Sequence, residues 1–275
     1  MKIHPTVIID PSVEMGEDLE VGPYSIISKG VKIGKNTKIM SHVHILENTV
    51  IGDNNDIHIG VIIGHIPQHL DYHECFSQVI IGNNNIIREY VSIHKGLREG
   101  SSTIIGDNNF LMGFCHLGHD VKMGDYNIIA NTAALAGHVE MGSHNFISGF
   151  TGIHQFTRLG DYVMVSAHTR VGKDIPPYML VEGYCEVKGL NVVGLRRGGF
   201  TSEQRKEIDK AYRILYRKGL NISQAIAELE KYEWGECVKC FIDFIKSPSK
   251  RGLARHHRVR SHRGVSESDN ENLKE

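Results

Sequence analysis

Aliphatic residues recur at every sixth position along most of the chain. The series runs without a miss over residues 9–63, resumes in the same register over 81–93, and continues over 105–171. In total 25 positions follow this single register, and a glycine often comes directly after the aliphatic residue. Neither the helical period of 3.6 nor the strand period of 2 produces such a spacing. A hexapeptide repeat is typical of a parallel β-helix, in which each aliphatic side chain fills the interior of a triangular prism.

Three hexapeptides make one coil, so residues eighteen apart are expected to lie above one another at the roughly 4.8 Å spacing of paired strands. Gly or Asn beside the aliphatic residue is predicted to permit the turn at each corner. The two breaks in the register, residues 65–79 and 95–103, are predicted to be loops that leave the prism. The first, which contains Gln68, is the better candidate for substrate contacts, because rigid scaffolds commonly present ligand-binding groups on loops.

The pattern changes to a helical one after Val171. Thr201 and Gln204 predict a capping box at the start of a helix, and two further apolar stripes of helical period follow before Pro248. We therefore expect a β-helix over residues 1–190 and a small α-helical domain over 191–250. The tail, residues 251–275, has almost no apolar residues and is expected to be disordered. Basic side chains on the first helix fit a docking face for an acidic protein and an ordinary solvated surface equally well.

Composition narrows the class of protein. The chain has 275 residues, of which 40% are hydrophobic and 23% charged, and its formal net charge is -1. This balance favours neither nucleic acid nor a membrane as the main partner. The first residues lack the apolar run of a signal peptide, and an odd number of cysteines, five, suits a reducing compartment. A cytoplasmic location is therefore expected. Cys237 and Cys240, three residues apart, are expected to pack on one face of a helix rather than to bind metal.

The stacking rule gathers several chemically versatile residues at one corner of the prism. Asp120 is expected to lie beneath His138, and His119 beneath Gly137. The predicted corner cluster, which spans on the order of 10 Å over three coils, consists of His116, His119, Asp120, His138, His154 and Gln155. A single histidine is more often a solvated or packed residue than a functional one, but a column of them indicates a functional site.

Several segments together resemble a known family. They are residues 116–120 (HLGHD), 136–139 (AGHV), 154–156 (HQF), 174–178 (DIPPY) and 194–197 (GLRR), all preceding or joining the predicted helical domain. This combination is similar to the UDP-N-acetylglucosamine O-acyltransferases that begin lipid A synthesis. The resemblance implies an all-β left-handed parallel β-helix followed by a small C-terminal α-helical domain, assembled as a homotrimer with active sites between neighbouring prisms.

The resemblance also implies an activity. An (R)-3-hydroxyacyl group would pass from the phosphopantetheine of acyl carrier protein to the sugar 3-hydroxyl of the UDP-sugar, with no other cofactor and no metal. His119 would be the general base, which suits a neutral imidazole near physiological pH, and Asp120 would orient it. Gly137 would offer its N–H to the oxyanion. The substrates would be positioned by His116, His138, His154 and Gln155, and the nucleotide by Asn191 and Arg197.

The residue expected at the end of the acyl groove is Ala167, where the family commonly has glycine. One added methyl group occupies the space of about one methylene. This packing argument predicts a preference for acyl chains of about 10 to 12 carbons, somewhat shorter than glycine-bearing relatives accept.

Three positions depart from the family pattern. Asp71 stands where a lysine is common, Val193 replaces an acidic residue, and Gly198 replaces a second arginine. These changes leave open whether the acceptor is the sugar or its 3-amino analogue, which would give an amide. Two other classes compete with the acyltransferase: a trimeric hexapeptide carbonic anhydrase that holds zinc with interfacial histidines, and a purely structural protein. The helical domain counts against the first, and the histidine column counts against the second.

Overall fold

The repeat positions form the core of a left-handed parallel β-helix, as the sequence predicts. A computed structural model describes residues 1–256. Every repeat position from Val21 to Val171 is buried, whereas Ile9 and Met15 in the first coil are only partly buried. Within residues 1–256, these two side chains pack only against the coil that follows them. The core is therefore a continuous stack of aliphatic layers.

The strands are short because each one forms a single side of the triangle. In chain order they are β1 (Lys2–Ile3), β2 (Ile8–Ile9), β3 (Glu14–Met15), β4 (Glu20–Val21), β5 (Ile26–Ile27), β6 (Lys32–Ile33), β7 (Lys38–Ile39), β8 (His44–Ile45), β9 (Thr49–Ile51), β10 (Asp56–Ile57), β11 (Ile62–His65), β12 (Gln78–Ile81), β13 (Ile86–Ile87), β14 (Ser92–His94), β15 (Ser102–Ile105), β16 (Phe110–Leu111), β17 (His116–Leu117), β18 (Lys122–Met123), β19 (Ile128–Ile129), β20 (Ala134–Leu135), β21 (Glu140–Met141), β22 (Phe146–Ile147), β23 (Gly152–Ile153), β24 (Arg158–Leu159), β25 (Met164–Val165), β26 (Arg170–Val171), β27 (Met179–Glu182), β28 (Glu186–Leu190) and β29 (Arg255–His256).

Every third strand belongs to the same face of the prism. We call the face that starts with β1 and β4 face A, the one that starts with β2 and β5 face B, and the one that starts with β3 and β6 face C. Adjacent strands within a face pair in parallel, one coil apart, as when His116 of β17 aligns with Ala134 of β20. Each coil thus has an A–B, a B–C and a C–A corner, and the chain leaves the B–C corner at both loops, between β11 and β12 and between β14 and β15.

The glycines after the repeat positions do not make the corner turns, contrary to the expectation from sequence. The positive-φ residues lie two positions later, as Asn108 (φ 58) does after Gly106. A β-carbon on Gly106 would lie 2.8 Å from the carbonyl oxygen of Gly124 in the next coil. These glycines are therefore required because stacked coils approach closely there, not because the turn needs an unusual dihedral angle.

A second interior column, at the C–A corner, is polar and was not anticipated. The buried side chains of five asparagines form a ladder along the prism: Asn55, Asn85, Asn109, Asn127 and Asn145. In each step the Oδ1 atom accepts the backbone N–H of the next asparagine, at 2.8 Å between Asn109 and Asn127. The ladder satisfies amides that the corner would otherwise leave buried without partners.

Within residues 1–256, the chain ends its regular coils with β26 and then forms a β-hairpin and four helices. β27 and β28 pair antiparallel, and the helices are α1 (Val192–Arg197), α2 (Ser202–Tyr216), α3 (Ile222–Leu229) and α4 (Glu236–Lys246). The predicted capping box is confirmed, since Thr201 Oγ1 accepts the Gln204 N–H and the Gln204 side chain accepts the Thr201 N–H.

The start of the predicted tail differs from expectation. Residues 251–256 are held against the prism because β29 pairs with β28, and Asp174 exchanges backbone hydrogen bonds with Gly252 and Ala254. Backbone pairing orders this segment despite its polar composition. The rest of the segment expected to be disordered, residues 257–275, lies outside the described residues.

Candidate active site

A pocket of about 400 Å³ lies along face B, next to the B–C corner. Its floor is formed by the outward-facing positions of successive strands, which align in one column from His116 through Ala134 and Gly152 to Arg170. Because the two central residues are small, they leave a groove between a histidine at one end and an arginine at the other. His119, Gly137, His154 and Gln155 also line this pocket, whereas Asp120 and His138 of the predicted corner cluster are not among its lining residues.

His119 and Asp120 form a buried hydrogen-bonded pair beside the pocket. His119 Nδ1 lies 2.8 Å from Asp120 Oδ2. Because an ionised carboxylate only accepts hydrogen bonds, Nδ1 carries the hydrogen and Nε2 keeps its lone pair. Burial alone would raise the pKa of Asp120, but hydrogen bonds from His119, Ser101 and the Leu97 N–H outweigh it and hold the pKa below its usual value. The pair therefore has the arrangement of a general base and its orienting carboxylate.

The second loop supports this carboxylate, which the sequence did not reveal. The Leu97 N–H donates to Asp120 Oδ2 at 3.0 Å, and the Asp120 N–H donates to Thr103 Oγ1 at 2.9 Å. The contact from Leu97 is made by a backbone group, so no side-chain pattern could have identified it. The sequence favoured the first loop for contacts, but both loops contribute.

Gly137 lies directly above His119, as the eighteen-residue spacing predicts. A β-carbon on Gly137 would collide with the His119 ring, so only glycine allows the imidazole to lie against the backbone here. The Gly137 carbonyl accepts a hydrogen bond from Phe156, while its N–H donates none within residues 1–256. A backbone N–H beside a base is suitable for an oxyanion.

His138 is the second histidine near Asp120. Its Nε2 lies 3.7 Å from Asp120 Oδ2, its ring meets that of His119 edge to face at 5.0 Å, and it stacks on Phe156 with centroids 4.7 Å apart. Burial lowers the pKa of His138. Its imidazole is thus biased towards the neutral form, in which it can donate and accept hydrogen bonds to a substrate.

His116 belongs to a second group of residues that the sequence identified only in part. Its Nδ1 makes a 2.9 Å hydrogen bond with Ser92 Oγ, and its ring meets that of His94 edge to face at 4.9 Å. Burial lowers the pKa of His116, and burial together with positive charge on His116 lowers the pKa of His94 to about 4. Ser92 and His94 precede the second loop, so Ser92 aligns with His116 at a spacing of 24. The eighteen-residue rule therefore missed them.

The first loop brings Gln68 to the pocket, as expected, together with a histidine that was not expected. Gln68 lines the pocket, and the His69 ring meets His119 edge to face at 5.5 Å. No sequence period extends into a loop, so the position of His69 could not be derived. Asp71 lies in the same loop, and its N–H donates to His69 Nδ1 at 3.1 Å, which makes it a neighbour of this ring rather than a pocket-lining residue.

The two nucleotide candidates lie elsewhere in the protomer. Asn191 caps α1, accepting the Gly194 N–H, and its Nδ2 donates to the Tyr162 carbonyl at the C–A corner. Arg197 is exposed in the last turn of α1. Neither residue lines the pocket at the B–C corner. Within one chain the structure therefore separates the predicted base from the predicted phosphate contact by the width of face C.

Gly198, one of the departures from the family pattern, has a local explanation. A β-carbon at this position would lie 2.5 Å from the Tyr162 ring, so a larger side chain would require that ring to move. Val193, the other departure in this region, is exposed on α1. Neither Val193 nor Gly198 carries a charge. Arg197 therefore remains the cation of this segment that the sequence assigned to the nucleotide.

Ala167 lies at the A–B corner and is exposed in the protomer. It does not line the pocket that contains His119. Its predicted role at the end of the acyl groove therefore requires the groove to continue across face B towards that corner.

His119, Asp120 and His138 also bring potential metal-ligating atoms within 4.8 Å of one another. Asp120 Oδ2, however, already accepts hydrogen bonds from His119 and from the Leu97 N–H. The cluster is thus arranged as a base with its carboxylate, and this arrangement does not favour the zinc enzyme considered from the sequence.

The basic face of α2 is largely occupied by contacts within the protein. Lys210 lies 3.7 Å from the centre of the Tyr232 ring, Arg213 pairs with Asp209, and Lys218 pairs with Glu228. These contacts favour a solvated, internally paired surface over a docking face. In residues 1–256, no helix has the length and apolar character needed to cross a membrane.

Family models match two parts of the chain. Residues 174–254 match the second domain of UDP-N-acetylglucosamine O-acyltransferase, and residues 102–137 match the six-repeat bacterial transferase hexapeptide model. The chain is 43% identical to the acyl-[acyl-carrier-protein]--UDP-N-acetylglucosamine O-acyltransferase of Thermodesulfovibrio yellowstonii, covering 92% of this chain and 99% of that one. Identity to the protein of the same name from Aquifex aeolicus is 47%, over 94% of this chain and all (100%) of the other.

The chain is also similar to solved acyltransferase structures over most of its length. The UDP-N-acetylglucosamine acyltransferase of Bacteroides fragilis superposes with a TM-score of 0.89 at 39% identity, covering 92% of this chain and 100% of that chain. The UDP-N-acetylglucosamine O-acyltransferase of Moraxella catarrhalis gives 0.89 at 41% identity, with coverages of 93% and 100%. The similarity therefore extends over both the β-helix and the helical region.

Proposed function

The chain belongs to the UDP-N-acetylglucosamine O-acyltransferase family, and from this premise we propose that it transfers an (R)-3-hydroxyacyl group from acyl carrier protein to the 3-hydroxyl of UDP-N-acetylglucosamine. The observation that carries the proposal is the buried His119–Asp120 pair, 2.8 Å apart, with Gly137 lying against the imidazole at the edge of a pocket. Base, orienting carboxylate and oxyanion donor are the parts that acyl transfer to a hydroxyl needs.

The chemistry follows from these three groups. His119 Nε2 removes the proton of the sugar 3-hydroxyl as its oxygen attacks the thioester carbonyl carbon. The carbonyl electrons move to oxygen, where the Gly137 N–H stabilises the oxyanion. Collapse of the tetrahedral intermediate breaks the C–S bond, and the proton held by His119 passes to the departing pantetheine thiolate. Asp120 stabilises the transient imidazolium without taking its proton.

The remaining pocket residues fit the two substrates. Gln68, His116, His154 and Gln155 line the pocket and are placed to supply hydrogen bonds to sugar and acyl oxygens. His138, which lies beside Asp120 and not in the pocket lining, would assist them from next to the base. The donor thioester is carried by the phosphopantetheine of acyl carrier protein, so the protein itself needs no further cofactor. Five free cysteines are consistent with a cytoplasmic site for the reaction.

We further propose that the active unit is a homotrimer with sites between neighbouring prisms. One protomer holds the base at the B–C corner and Arg197 near the C–A corner, so a second copy is needed to bring both to one substrate. Face A also carries outward-facing apolar side chains, including Ile86 and Phe146, and exposed aromatic rings stack at the A–B corner, where Tyr90 meets Phe114 at 5.2 Å. Exposed apolar faces of this kind mark protein interfaces.

A direct assay tests the proposed reaction. The purified protein is incubated with (R)-3-hydroxyacyl carrier proteins of several chain lengths and with either UDP-N-acetylglucosamine or its 3-amino analogue, and the products are identified by mass. We expect an ester product from the hydroxyl acceptor. Formation of the amide alone would assign the acceptor differently, and the absence of any acylated sugar nucleotide would contradict the proposal.

A further inference from the structure

Two histidines lie near the same carboxylate oxygen of Asp120, and one of them, His119, is its hydrogen-bond partner. Its Oδ2 accepts a 2.8 Å hydrogen bond from His119 and lies 3.7 Å from Nε2 of His138. If His138 became protonated, its attraction to the carboxylate would increase and would compete with His119. Protonated His138 would draw Asp120 Oδ2 towards itself and weaken its hydrogen bond with His119, so a neutral His138 favours the His119–Asp120 pair.

A cation lies at the far end of the aromatic stack that contains His138. Phe156 is stacked on His138 at 4.7 Å with an angle of 8° between the rings, and Lys250 Nζ lies 4.2 Å from the centre of the Phe156 ring. The segment that carries Lys250 is fixed by backbone hydrogen bonds with Asp174, which lies one coil above Phe156. The phenyl ring thus contacts both the imidazole and the ammonium group, and the two spacings place these two titratable groups no more than about 9 Å apart.

We infer that Lys250 is a positioning residue: its ammonium group, held over Phe156, opposes a positive charge on His138 and thereby keeps Asp120 paired with His119. The inference rests on the proposed function of the pair. It assigns a role in the reaction to a residue outside the pocket, on the segment that follows α4.

The other charged groups around His138 do not remove this effect. Burial is the largest cause that lowers the pKa of His138, the negative charge of Asp120 opposes it, and positive charge on His119, Lys250 and His69 lowers it further. Lysine is ordinarily a cation near neutral pH, whereas histidine is not fully charged there, and the lysine among these three groups is Lys250. It is thus the permanent part of the field that disfavours protonated His138.

Removing the ammonium should therefore raise the pKa of His138. As pH falls, His138 would then take up its proton earlier and attract Asp120 earlier, so the acid limb of kcat/KM should move to higher pH. For unit charges this far apart near solvent, Coulomb's law gives a shift on the order of a few tenths of a pH unit. Replacement by a carboxylate should shift it further in the same direction.

The first measurement does not depend on activity. The ring-carbon NMR signal of His138, in protein labelled at histidine and assigned with His138→Gln, is followed against pH in the parent, Lys250→Arg, Lys250→Met and Lys250→Glu. We expect the titration midpoint of His138 to be lowest in the parent and the Arg variant, higher in Met and highest in Glu. The same midpoint in all four proteins would overturn the inference.

The second measurement connects the charge to the reaction. The pH profile of kcat/KM should shift in the same order, with plateau rates at higher pH largely retained and with rescue by Lys250→Arg. Lys246→Met is the matched control, since Lys246 is an exposed lysine at the end of α4 that pairs with Glu230. A uniform loss of rate at every pH, with an unmoved acid limb, would mean that Lys250 only supports the fold. If no variant, nor the parent, acylated a sugar nucleotide, the proposed function would fail while the NMR titration still tested Lys250.

Discussion

The proposed role of His119 as a base requires neutral histidines around it. His94, His116 and His138 all lie close to it or to one another, and burial is the main cause that lowers the pKa of each. Only neutral imidazoles can be packed this closely without strong repulsion, and only neutral His119 can accept a proton from the sugar. We therefore expect activity to be retained at neutral pH and to fall as the pH decreases and these rings take up protons.

Removal of the base is the simplest test at this scale. His119→Ala should leave the fold intact, because the stacked coils do not depend on this side chain, and should lower kcat by about 10²–10⁴. Steady-state rates with circular dichroism as a check on folding measure the effect. His44→Ala is a suitable control, since His44 lies in the same outward column of face B as His116, several coils earlier. A folded His119→Ala protein with nearly parental activity would transfer the role of base to His138 or His116.

Ala167 provides a test of acyl-chain selectivity. If it ends the acyl groove, Ala167→Gly should shift the preferred donor towards longer chains and Ala167→Met towards shorter ones, since each methylene needs its own space in a packed wall. Competition among hydroxyacyl carrier proteins, read by product mass, gives the length profile. Because Ala167 is exposed in the protomer, an unchanged profile in both active variants would place the end of the groove elsewhere.

The repeat located the residues that follow its period and missed most of those that do not; Gln68 is an exception, because its loop was singled out for substrate contacts. His119, Asp120, Gly137 and His138 fall in the same or adjacent columns at a spacing of eighteen, so arithmetic was enough to bring them together. Ser92 and His94 escaped because the intervening loop changes the spacing to 24. His69 and the Leu97 N–H belong to loops, and a loop has no repeat from which its path could be calculated.

Each coil of the prism is joined to the next by polar as well as aliphatic layers. The asparagine ladder at the C–A corner supplies hydrogen bonds to buried backbone N–H groups, and the glycines beside the repeat positions allow the coils to approach. The period of six correctly located the glycines, but the expectation that they form the corner turns was wrong. The period describes which residues recur, whereas only the coordinates show which atoms they approach.

The asparagine ladder is expected to contribute to the stability of the prism. Asn109→Ala should lower the free energy of unfolding by about 1–3 kcal/mol, because the buried Asn127 N–H would lose its acceptor. Denaturant or thermal unfolding measures the change. Asn108→Gly is the matched control: it is the adjacent asparagine, its φ is 58°, and glycine adopts that conformation easily. Equal stabilities for Asn109→Ala and the parent would show that water or a rearranged side chain replaces the missing acceptor.

In one protomer, the proposed base and the proposed phosphate contact lie at different corners of the prism. The base and its carboxylate lie at the B–C corner, while Arg197 follows the C–A corner at the end of the prism. The sequence predicted the prism and both groups of residues, but the spacing rule acts along one column and says nothing about distances between corners. Their separation follows from the arrangement of the three faces, which the period alone does not describe.

This separation leads to a test with mixed trimers. Arg197→Ala alone should raise the KM for the sugar nucleotide, since a charge-assisted phosphate contact is worth about 1.5–3 kcal/mol, and His119→Ala alone should lower turnover. If one site takes His119 from one protomer and Arg197 from its neighbour, random mixing of the two variants should restore about a quarter of the sites. The assay uses co-expressed, differently tagged subunits at low sugar nucleotide concentration.

The control is a mixture of His119→Ala with His138→Ala. Both residues lie at the B–C corner of the same protomer, 5.0 Å apart between ring centres, so no arrangement of these subunits can rebuild a complete site. The activity of the mixture should therefore exceed the average activity of its two single variants only when His119→Ala is mixed with Arg197→Ala. If the mixture of His119→Ala with Arg197→Ala also shows only the average activity of its two variants, Arg197 does not reach a neighbour's His119. The phosphate contact must then come from another cation. Arg170, which lines the same pocket on face B, would then be the first residue to replace.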